Sequence, residues 1–176
     1  MDAHPLALTA PAPFAWSKSR HQAEWQFVRD PRCAGGARLL LHEHADEWGI
    51  AADSADTAAL LVSELVTNAY RYGAAVPAST SPDLITVRCF LAFGLLRIEV
   101  SDGATELPRP RHASPDDVSG RGLALVTALA DRWGAYPAPA DCRSGTPAGG
   151  GKTVWCELTV IVEAASGSGP GFGCGW

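Results

Sequence analysis

The sequence predicts an α/β sandwich, a mixed, mainly antiparallel β-sheet covered on one face by helices. Three observations carry this. Two apolar stretches before residue 73 repeat at helical spacing. "DLITVRCFLAFGLLRIEVSDG" reads as two strands joined at a tight turn around Phe93 and Gly94. "KTVWCELTVIVE" is a long, strongly β-prone last strand. A chain of 176 residues, 47% of them hydrophobic, has material for one domain with a substantial core.

Residues 1–22 are rich in Ala and Pro without periodicity and are expected to form a flexible arm. The domain is expected over 23–163, followed by a disordered Gly/Ser-rich tail, 164–176. Within the domain, "AEWQFVRD" reads as a short strand. Asp30 and Pro31 supply an N-cap carboxylate and a first-turn proline for a helix. Ala37, Leu40, Leu41, His44 and Trp48 follow at helical spacing, and Gly49 stops it. Asp53 or Ser54 opens a second helix, on which Leu60, Leu61, Glu64, Leu65, Asn68 and Tyr72 trace one face up to Gly73. "SPDDVSGRG" is a loop, "LALVTALADRWG" a third helix, and 137–150 a Pro/Gly-rich turn region.

Bulk properties exclude several functions. A net charge of -5 and a pI near 5.4 argue against a nucleic-acid module, which needs clustered Lys and Arg. No apolar run approaches the roughly 20 residues of a membrane span. The start "MDAHPLALTAPAPFAW" lacks the pattern of a signal peptide. Five cysteines, at 33, 89, 142, 156 and 174, share no close spacing, so neither a paired disulfide framework nor a zinc site is expected. The expected location is the cytoplasm.

Three motifs carry chemistry. Glu64 and Asn68, four residues apart, point the same way from a helix. Their oxygens suit a hydrated magnesium ion, and the carboxylate suits a general base; alone, they read as solvated groups at a helix rim. In "EVSDGATELP" a strand runs into Asp102-Gly103. That is a common turn, or a carboxylate placed to accept from an exocyclic amine, with a glycine admitting the ring. In "SGRGLALV", Gly120 and Gly122 flank Arg121 at a helix start. Loop flexibility explains such glycines, and so does a phosphate wrapped by free backbone N–H groups.

The order of the three resembles the N, G1 and G2 boxes of the ATPase superfamily shared by gyrase, heat-shock chaperones, histidine kinases and mismatch-repair proteins. The phrases "LLVSELVTNAYRYG", "LLRIEVSDG", "GRGLALV", "ADRWG" and "GGGKTVW" resemble anti-sigma factor serine kinases, over roughly residues 24–162. The resemblance implies a Bergerat-type ATP-binding fold with ATP and Mg2+ as cofactors. By it, Asn68 holds magnesium and Glu64 is the catalytic general base or water-orienting carboxylate. Asp102 binds the adenine amine, Gly103 gives close approach, Gly120, Arg121 and Gly122 form the phosphate loop, and Leu123 begins the helix beneath. It further implies a protein serine kinase that phosphorylates a STAS-domain antagonist and sequesters a sigma factor, with a homodimer expected. The alternatives are a non-catalytic ATP-binding module that sequesters a partner and a detached histidine-kinase catalytic domain.

Three departures stand out. Tyr72 replaces the usual histidine at the end of the N box, and the second glycine of many G1 boxes is missing after Gly103. Lys152 stands where a last-strand threonine near adenine is usual, with Thr153 one place on. Lys152 is expected to be a solvated strand-edge residue, or a phosphate partner if it faces the pocket. Arg109, Arg111, Asp116 and Asp117 are expected in a lid over the nucleotide. His42 and His44 are read as surface histidines, and Trp25, Trp48, Trp133 and Trp155 as packing residues.

Overall fold

A computed structural model describes residues 19–73, 83–108, 121–138 and 151–163. The order is β1 (His21–Val28), α1 (Cys33–Glu47), α2 (Ala52–Tyr72), β2 (Leu84–Ala92), β3 (Leu95–Asp102), α3 (Arg121–Leu129), β4 (Arg132–Ala138) and β5 (Gly151–Thr159). The strands form one sheet in the order β1-β2-β3-β5-β4. Every pairing in it is antiparallel, in keeping with the mainly antiparallel sheet expected.

Strand periodicity sorts the two faces. Val87, Cys89, Leu96, Ile98, Val100, Val154 and Cys156 lie in one core cluster with Leu41, Leu61, Val62 and Leu65 of the helices. Each fully buried leucine there contributes about 2 kcal/mol of transfer free energy. Burial pushes the Cys156 thiol up to about 12, so it stays a neutral apolar group. On the opposite face lie Arg97, Glu99, Ser101, Thr153, Trp155 and Glu157, all buried.

Turn chemistry fixes the hairpin register. Phe93 and Gly94 have φ of 52° and 73°, the two consecutive positive values of a two-residue hairpin turn. Phe93 is wholly exposed, so it serves the turn rather than the core.

Several expectations change. The first helix starts at Cys33 with no side-chain cap; Asp30 instead accepts from the Arg32 N–H at 2.8 Å, one turn outside. The second starts at Ala52 without a cap, and Ser54 Oγ accepts from Ile161 N–H. Leu60 and Tyr72 are exposed, because the inward stripe runs through Ala58, Leu61, Val62, Leu65, Val66 and Ala69. The third helix stops at Leu129, and Trp133 and Gly134 belong to a strand, β4. His42 faces Asp56 at 3.8 Å, whereas His44 is part-buried, with Trp25 and Trp48 rings edge-on to it. Trp48, Trp133 and Trp155 are buried, as packing residues should be. The expected arm, lid and tail lie outside the described residues, except that 19–22 include the start of β1.

Candidate functional site

The site is built where the C-terminal end of β3 and the start of β5 meet the helical layer. Counting by twos from Ile98 and Val100 puts Asp102 on the core face, and Lys152 is its direct cross-strand partner. Asp102 is 5% exposed and Lys152 likewise 5%. Lys152 Nζ donates to Asp102 Oδ1 at 2.9 Å, and the Ala104 N–H donates to the same oxygen at 2.7 Å. The other oxygen, Oδ2, is buried and has no donor among the described residues. A buried carboxylate oxygen left without a partner costs about 1–3 kcal/mol, so this one invites a donor from outside the protein.

Lys152 is therefore neither a solvated edge residue nor a group set aside for phosphate. It is buried in an ion pair. Thr153 does not take the place of the missing threonine either. One residue along a strand reverses the face, and Thr153 bonds Ser101 Oγ on the far side of the sheet, at 2.8 Å.

Burial pushes the Asp102 carboxyl above the ordinary aspartate range, while Lys152, the Ala104 N–H and the Arg29 charge pull it back. Arg29 also ties down the end of α2. It donates to the Tyr70 carbonyl at 2.9 Å and to the Gly73 carbonyl, and pairs with Asp83 at 3.1 Å. A cation at a helix C-terminus satisfies carbonyls that the helix cannot. "FVRD" gave no hint of this, since Arg29 reaches residues more than 40 positions away.

Glu64 and Asn68 lie on α2 and are each half-buried, at the rim rather than deep inside. Gly122, in the first turn of α3, comes so close to Glu64 that a Cβ there would stand 2.7 Å from Glu64 Oε2. The glycine lets the start of α3 approach the carboxylate, whose charge suits a helix N-terminus. Leu123 is partly buried and packs on the core. Arg121 opens α3, Gly103 follows β3 directly, and Gly120 lies outside the described residues. The structure thus joins Glu64 with Gly122, and Asp102 with Lys152.

A protein-family model described as a histidine kinase-like ATPase domain matches residues 27–142, well over half of the chain. This chain belongs to the histidine kinase-like ATPase domain family. No curated protein matches the chain. Among solved structures, it resembles the RsbU and RsbW domains of Rv1364c from Mycobacterium tuberculosis, with a TM-score of 0.57 and 22% identity. That match covers 82% of this chain and 33% of the other, so the likeness is one of fold. None of the described helices of this ATPase domain is long and apolar enough to cross a membrane.

The Asp102 environment predicts opposite pH slopes for folding and binding. Its folded pKa is raised, so its ionisation costs stability as pH rises through that value, and acidification relieves the cost. A ligand N–H that donates to Oδ2 would need the carboxylate, so affinity for such a ligand is expected to fall on acidification, beginning above the ordinary aspartate range, and the trend should vanish in Asp102→Asn. Nucleotide titrations across pH, paired with thermal melts, check both signs.

Proposed function

We propose that this protein binds Mg-ATP and is a protein serine kinase of the anti-sigma type. It transfers the γ-phosphoryl group to a serine on a STAS-domain antagonist and sequesters a sigma factor. The observation that carries the reading is the buried, donor-less Asp102 Oδ2, an acceptor suited to the adenine amine. The close approach of Gly122 to Glu64 extends it to phosphates, since a helix N-terminus beside a carboxylate can bring a triphosphate and a base together.

Asn68, one turn beyond Glu64 on α2, presents a carboxamide oxygen, a ligand that fits magnesium and leaves Glu64 free as the base. Magnesium, when bound, would offset charge on the phosphate oxygens. Glu64 takes the proton of the attacking serine hydroxyl. The serine oxygen bonds to the γ-phosphorus, the bond from that phosphorus to the β-bridging oxygen breaks, and ADP leaves. The backbone at Gly120, Arg121 and Gly122 holds the phosphates, Leu123 anchors that turn to the core, and Gly103 keeps the base edge open.

Incubation with labelled ATP and a cognate STAS protein is expected to label the STAS protein on serine. ATP binding with no transfer to any STAS partner would instead favour a module that uses nucleotide only to hold a protein partner. Asn68→Ala is expected to weaken Mg-ATP binding by about 10- to 100-fold, the range for losing a group that positions a metal. Calorimetry with magnesium present and absent measures it; unchanged affinity would remove Asn68 from the site.

A further inference from the structure

We infer that Lys152 is a second base-reading residue, whose ammonium donates to an adenine ring nitrogen beside the amine that Asp102 accepts. This inference rests on the ATP reading above and deepens it. Lys152 projects from the core face of β5, in register with Asp102, and its side chain is 7% exposed. An ammonium has three N–H donors. Among the described residues, Nζ has one acceptor, Asp102 Oδ1. Donor capacity is thus left over within the same buried pair that leaves Oδ2 without a donor.

The two deficits are complementary, and they are adjacent. A surplus donor and an orphaned acceptor side by side match a ligand edge that carries an acceptor and a donor side by side. Adenine has that edge, because its exocyclic amine is flanked by the ring nitrogens N1 and N7. The amine satisfies Oδ2, and a flanking nitrogen satisfies Nζ. A threonine side chain at this position would end several bonds short of Nζ, so this contact belongs to the lysine. The flexible four-carbon stem allows the ammonium to keep Oδ1 while it reaches the ring. Thr153 cannot share the task, being on the other face of the sheet.

The test is a nucleotide cycle on the full chain. ATP, 1-deaza-ATP and 7-deaza-ATP are titrated against wild type and Lys152→Met. With wild type, one deaza analogue is expected to bind about 10- to 100-fold more weakly than ATP, the cost of leaving a charged donor unmatched. In Lys152→Met that penalty should disappear, because the donor is gone. Were the lysine only a counter-charge to Asp102, Lys152→Met would lower affinity for all three nucleotides alike, and that outcome overturns the inference. Equal binding of the three by wild type, or a penalty that survives in Lys152→Met, overturns the inference while ATP binding itself stands. Failure of wild type to bind any of them overturns the functional reading as well. Lys152→Thr, shorter and still polar, supplies the same arm if the methionine variant does not fold.

Discussion

Glu64→Ala is expected to leave ATP bound within a few-fold of wild type and to slow phosphoryl transfer by about 10²- to 10⁴-fold. That range is what a positioned general base contributes. The separation of binding from chemistry follows from location. Asp102 and Lys152 sit together at the junction of β3 and β5, whereas Glu64 meets α3 at Gly122. Removal of the Glu64 carboxylate takes away no group from the base end. It also frees space against Gly122, so the start of α3 need not move. Single-turnover transfer from labelled ATP, with parallel nucleotide titration, reads the two effects. A variant that transfers at the wild-type rate would deny Glu64 any chemical role. One that binds no ATP would make it a structural prop of the phosphate loop.

Gly122→Ala offers a milder version of the same test. The new methyl would press on the tip of a flexible glutamate, which can swing away. Stability should change by less than about 1 kcal/mol, since alanine favours a helix more than glycine does. Transfer should drop because the carboxylate has been displaced.

The elements that sequence reading placed well are those whose local signals agree. α2 is a 21-residue helix whose buried stripe runs from Ala55 to Ala69, the Phe93-Gly94 turn joins two strands, and β5 is rich in β-formers. β4 was hidden by its own composition. Gly134 and Pro137 read as breakers, yet among the described strands β4 pairs only with β5, and an edge strand tolerates proline. At the site, periodicity gives only the faces that Glu64, Asn68 and Asp102 occupy, and it was the resemblance of their motifs that singled them out. The partner of Lys152 was not legible, because it depends on a register between strands 50 residues apart. Nothing local in "GGGKTVW" separates a solvated lysine from one buried on a carboxylate.

The same limit applied on the other face, and there it concerns stability. In "LLRIEVSD", Arg97 and Glu99 occupy the positions that alternation assigns away from the core, and such residues are ordinarily solvated. Arg97 is instead fully buried. It donates to Glu99 at 2.8 Å and to Glu157 at 2.7 Å, and its guanidinium lies 4.1 Å from the Trp155 ring centroid. Glu99 and Glu157 are 8% and 7% exposed. Among the described residues, this one buried cation pairs with two buried carboxylates, and the exposed Arg132 lies 3.9 Å from Glu157. Arg97→Ala is expected to cost about 3–5 kcal/mol, because it removes the buried counter-charge that both carboxylates share. That is a large share of the roughly 5–15 kcal/mol by which a domain is stable. Urea unfolding measures the loss directly. Arg97→Met combined with Glu99→Gln and Glu157→Gln should recover most of it, since the charges then vanish together while the volume is nearly kept. If Arg97→Ala loses less than about 1 kcal/mol, water reaches that face in solution and the cluster is a surface network worth little.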